Sequence, residues 1–157
     1  MPHPLIGIHA ALGELGAIAF LWVFIELINP IPKRVKRAKV VASIAVILLF
    51  LSWFTGGYYY VNYYGTNVKP IIKEGPQPWA HSVFTETKEH VFLFIPFLAL
   101  LNYFIIKKYE GTLIKDRKIR KAVMVLSLLI TVLAFAMAGM GYMISTGART
   151  ALEAGAL

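Results

Sequence analysis

The chain has 157 residues, of which 58% are hydrophobic and 15% charged, and a formal net charge of +8. That much apolar side chain exceeds what one soluble core of ordinary proportions can hide, so lipid is expected to cover much of it. The absence of cysteine excludes disulfides, thiolate-ligated iron–sulfur clusters and a c-type haem attachment.

The amino terminus carries no positive segment, and the apolar run after it is too long for a signal-peptide core, so a retained first span is expected over about 5–28. Asn29-Pro30-Ile31-Pro32 ends it. A basic segment from Lys33 to Lys39 follows, then a second span over about 40–60 that runs into Trp53, Gly56, Gly57 and a group of tyrosines. Amphipathic rings favour the headgroup level, so the tyrosines read as an outer aromatic belt. Residues Gly65 to Pro78, with three prolines and two glycines, read as an external loop. The third span is expected over about 83–106, with a kink at Pro96. A second basic segment, Lys107 to Lys121, leads to a fourth span over about 122–144, which is rich in Ala and Gly.

Twelve of the sixteen Lys and Arg residues lie in the two basic segments. Loops on the cytoplasmic side carry such an excess, so the charge is accounted for by topology, and nucleic acid is not an expected partner. The expected fold is all-α: one integral membrane domain over 1–157, a four-helix up-down-up-down bundle. Both termini and the 61–80 loop are placed outside, and the basic loops are cytoplasmic. His9-x-x-x-x-Glu14 and His81-x-x-x-x-Glu86 each open a helix pair, a layout that also admits two parallel two-helix repeats about an axis along the membrane normal.

Ionisable residues inside spans are costly and are candidates for function. Measured from the inner helix ends at about 1.5 Å per residue, His9 and His90 lie in one layer, roughly 28 and 24 Å out, and Glu14 is the deepest carboxylate at about 21 Å. Glu86, Glu89 and His90 are spaced to share one helix face, and Glu26 is expected to pair with the adjacent basic loop. Two chemistries suit this set. His9 and His90 supply the axial ligands of a b-type haem, with glycines making room for the macrocycle and Lys88 and Arg149 meeting its propionates. Alternatively His9, Glu14, Glu86, Glu89 and His90 hold iron, manganese or zinc, although the paired Glu-x-x-His pattern of four-helix di-metal sites is incomplete. A third expectation is a structural or assembly subunit with no cofactor, and Glu14 also admits proton or ion conduction. The partners expected are membrane lipid and other membrane or redox subunits, or further copies of the chain.

The opening His3-Pro4-Leu5-Ile6-Gly7-Ile8-His9 resembles the start of a family of small four-helix bacterial and archaeal membrane proteins of unknown function, whose first helix begins His-Pro-Leu-Leu-Val-His. The second histidine here follows the first by six positions, where the family has five. The resemblance implies an association with electron-transfer systems and supplies no catalytic residues.

Overall fold

The computed structural model describes residues 3–155. Among them there is no strand, and four helices are long and apolar enough to cross a membrane: α1 (Pro4–Ile28), α2 (Pro32–Asn67), α4 (Ala80–Tyr109) and α5 (Arg117–Glu153). A short helix, α3 (Lys69–Glu74), lies between α2 and α4.

The helix starts follow from local chemistry. Pro4 and Pro32 occupy first-turn positions, where the missing N–H costs nothing. His3 accepts from the backbone N–H of Leu5 through its side chain, and the Asp116 carboxylate accepts from Lys118 and Ile119, which caps α5. In α4 the regular helix is interrupted at Leu93. The residue before it, Phe92, has the carbonyl that Pro96 cannot bond, so the expected disturbance from Pro96 lies one turn upstream of the proline.

α1 packs on α2 and α5, and α4 packs on the same two helices. Contacts between α1 and α2 fall on one helix as they rise on the other: His9 meets Gly56, Gly13 meets Ser52, Gly16 meets Leu49, and Glu26 meets Arg37. The second pair follows the same rule, with Ala80 against Gly147, Lys88 against Gly141, and Asn102 against Ser127. The core between them is apolar, built on Phe20, Val23, Leu27, Leu49, Ile95, Ile106 and Ile130, and each long helix turns a second apolar face outward.

Three features differ from the sequence reading. The first basic segment is not a loop; Lys33 to Lys39 form the first two turns of α2. Residues 65–78 are largely helical, because α2 runs on to Asn67 and α3 follows. Finally, α2 and α5 are 36 and 37 residues long, well beyond the roughly 20 that a hydrocarbon core needs. Their excess, with α3 and the start of α4, encloses a second, smaller core of Tyr59, Tyr64, Ile72 and Ala80. This cap is closed by small residues at close approach: a Cβ on Gly147 would fall 2.6 Å from the Ala80 Cβ, and one on Gly75 would overlap Ala151.

Candidate functional site

His9 is half-buried in the α1–α2 seam. Its Nδ1 lies 2.8 Å from the Ser52 carbonyl, which can only accept, so Nδ1 carries the proton and Nε2 is left with a free lone pair. Ser52 Oγ returns a bond to the His9 carbonyl at 2.8 Å, and the ring meets Phe92 of α4 edge-on at 5.6 Å. Gly56 exists where the ring sits: a Cβ there would be 2.6 Å from Nδ1.

Lys88 also turns inward. It is half-buried, and its Nζ lies 3.1 Å from where a Cβ on Gly141 would be. Phe92, one turn further along α4, shares that inward direction. His90 is two positions before Phe92, about 200° round the helix, and is exposed. Its Nδ1 lies 2.6 Å from the Glu86 carbonyl of its own helix. Glu86 and Glu89 are exposed beside it, as expected from their spacing, and Arg149 is exposed in the last turns of α5. Glu14 is exposed on α1, away from both helices that cover it.

The structure therefore brings His9, Lys88 and Phe92 together in the interior and leaves Glu14, Glu86, Glu89, His90 and Arg149 on outward faces. Among the described residues no three His, Asp or Glu side chains are close enough to hold a metal ion. Of the glycines expected to make room for a macrocycle, Gly56 is filled by His9, Gly13 by Ser52 Oγ, Gly16 by Leu49 at 2.8 Å and Gly141 by Lys88 Nζ at 3.1 Å, while Gly57 and Gly139 have nothing within 4 Å. His9 and His81 do not occupy equivalent positions in the two helix pairs. Judged by the contacts about each turn, His81 lies roughly ten residues, or about 15 Å, further out.

His81 belongs instead to a network that the sequence did not suggest. It is buried in the cap with Nδ1 3.0 Å from Tyr64 Oη, which is 2.9 Å from Thr85 Oγ1, and Thr85 bonds the Ala80 carbonyl at 3.2 Å. Every group donates once if the chain runs His81 Nδ1–H to Tyr64, Tyr64 O–H to Thr85, and Thr85 O–H to Ala80. Both segments that supply these residues, Tyr60–Tyr64 and Ala80–Thr85, are π-helical turns, which are rare and recur at functional sites. His3 packs on the same cluster with its ring tilted, the centroids 4.6 Å from Tyr63 and 5.5 Å from Tyr59. The tyrosines are thus not one belt. Tyr58 is exposed, while Tyr59 and Tyr64 are core residues of the cap.

Near the α1–α2 turn, Glu26 is only 4% exposed and is saturated. It accepts from Trp22 at 2.8 Å, from Arg34 at 2.9 Å, and from Arg37 at 2.7 and 2.9 Å, so the expected pairing with the basic segment is present. Lys39 reaches Glu110 at 2.6 Å and ties α2 to the turn after α4. At mid-bundle, buried Asn102 donates to Ser127 Oγ and to the Val123 carbonyl, while its Oδ1 has no partner.

No family model matches the chain, and no curated protein or solved structure matches it either.

Proposed function

We propose that this protein is a four-span membrane subunit that works by packing against other membrane-embedded chains. The opposed run of contacts within each helix pair supports an up-down-up-down order. The clustering of Lys and Arg at the α1–α2 and α4–α5 turns supports placing those turns in the cytoplasm, with both ends and the 61–80 segment outside.

The observation that carries the functional reading is Glu14. It sits about 21 Å along α1 from Ile28, inside a hydrocarbon core of about 30 Å, on a face that no helix of the same chain covers. An ionisable group at that depth faces a bundle interior or a partner, because hydrocarbon offers no hydrogen bond. The interior of the bundle, by contrast, is packed with the chain's own side chains. The resemblance at the amino terminus favours electron transfer as the setting of such an assembly.

A second reading keeps a b-type haem, which would supply one-electron transfer, with His9 and His90 as its ligands and Lys88 and Arg149 near its propionates. What favours it is that both imidazoles turn Nδ1 to a backbone carbonyl, the arrangement that fixes the tautomer of ligating histidines and frees Nε2. Against it stand the side chains that fill the space at Gly13, Gly16 and Gly56 and the opposed directions of the two rings.

One preparation separates these readings. The protein is extracted with a mild detergent after expression with ample haem, sized on a native column, and its spectrum recorded oxidised and reduced. An assembly larger than one copy, without a Soret band, is the expected result. A Soret band lost in His9→Ala and in His90→Ala would establish the second reading, and a colourless single copy would remove both.

A further inference from the structure

We propose that the chain which covers Glu14 is a second copy of this one, docked α1 to α1 across a two-fold axis along the bilayer normal, with the two Glu14 carboxyl groups hydrogen-bonded to each other. The proposal rests on the membrane-subunit reading above and names the partner of that surface.

α2 and α5 cover two sides of α1. On the free side Gly7, Ala11, Glu14, Ile18, Ile25 and Ile28 are exposed. Their spacings of four, three, four, seven and three residues set them in one stripe along the helix, flanked by exposed Ile8, Leu15 and Trp22, and such a stripe can pack as a seam against a like helix. Nothing lies within 4 Å of a Cβ built on Gly7, and with Ala11 one turn later it allows two backbones to come close. Glu14 is the one polar residue on this seam. A lone polar group at a seam position is how paired helices fix their register.

The chemistry selects a like partner. The ion pairs of the described residues involve Glu26 and Glu110, both near the inner end, and Glu14 takes no part in them. A protonated carboxyl has one donor and one acceptor. Two such groups at equal depth complement each other, each O–H going to the other's carbonyl oxygen, and a two-fold axis guarantees equal depth. A contact between unlike faces of two copies would lack this match. The outward residues level with Glu14 on the other helices are Leu51, Phe97 and Val132, none of which can bond it.

Because the chain has no cysteine, single cysteines report cleanly. Ala11→Cys and Ile18→Cys are placed on the seam, and Ile47→Cys and Val132→Cys on the outward faces of α2 and α5, each in the full chain in its native membrane with a short bifunctional maleimide. The seam variants are expected to give a covalent dimer of two copies, at least tenfold more than the two controls. Glu14→Gln, whose amide pairs with itself, retains the product in the Ala11→Cys background, and Glu14→Leu reduces it severalfold. Seam crosslinks to a protein of different mass would overturn the second copy and leave the subunit reading standing. Equal yields from all four positions, or none from the seam, would overturn the dimer. If the native column also shows a single copy, the subunit reading fails with it.

Discussion

His9 shows how closely one side chain is specified here. Its ring is bonded to the Ser52 carbonyl, faced by Phe92, and accommodated by the missing Cβ of Gly56. Overfilling a packed site typically costs about 1–3 kcal/mol. Gly56→Val is therefore expected to destabilise the bundle by about that amount, since Cβ alone would displace the imidazole. Gly57→Ala, where nothing lies within 4 Å, should be neutral or slightly stabilising through helix propensity. Thermal unfolding in detergent compares the two, and equal effects would mean that the His9–Gly56 contact does not hold. The pairing of Glu26 was legible beforehand because a carboxylate near five basic residues has an obvious destination. The seat of His9 was not, because the fit of a ring over a glycine depends on how two helices are rotated against each other.

At the level of elements, α4 shows what helical periodicity can and cannot deliver. A 3.6-residue repeat correctly groups Glu86, Glu89 and His90 on one face. It does not say whether that face points in or out, and in a chain whose outward faces are also apolar the usual hydrophobic contrast is missing. The structure turns that face outward and Lys88 inward. The π-helical turns were illegible for a related reason: one extra residue per turn shifts every later direction, and no local composition marks it. Those turns aim Tyr64 and His81 at each other. Tyr64→Phe removes the hydroxyl shared by His81 and Thr85 while keeping the ring, at a cost of about 1–2 kcal/mol. Amide hydrogen exchange should quicken over 60–85 and stay unchanged at the inner ends of α1 and α2. Uniform quickening would show that the cap is not a separate unit.

For the molecule as a whole, the number and order of the four long helices were readable from apolar runs and prolines, and their ends were not. α5 continues well past Ile144, where the apolar run stops, because its last turns pack on the cap through Gly147 and Ala151 rather than through large apolar side chains. At about 1.5 Å per residue, α5 spans about 55 Å, so the cap stands clear of a core about 30 Å thick if the helices cross it. Deleting residues 145–157 should leave the inner bundle folded and open the cap. Limited proteolysis should then cut between 65 and 80 at least tenfold faster, with α1 and α2 intact, and an unchanged cleavage rate would show that α5 does not close it. This arrangement also sets an order of events during synthesis. α1 and α2 can seat His9 and pair Glu26 as soon as both have emerged, since every partner they need lies before residue 60 except Phe92. The glycine and alanine that seal Ala80 and Gly75, Gly147 and Ala151, are made only after α4 and most of α5, so Tyr64 and His81 wait, already made but uncovered, until that part of the chain has emerged.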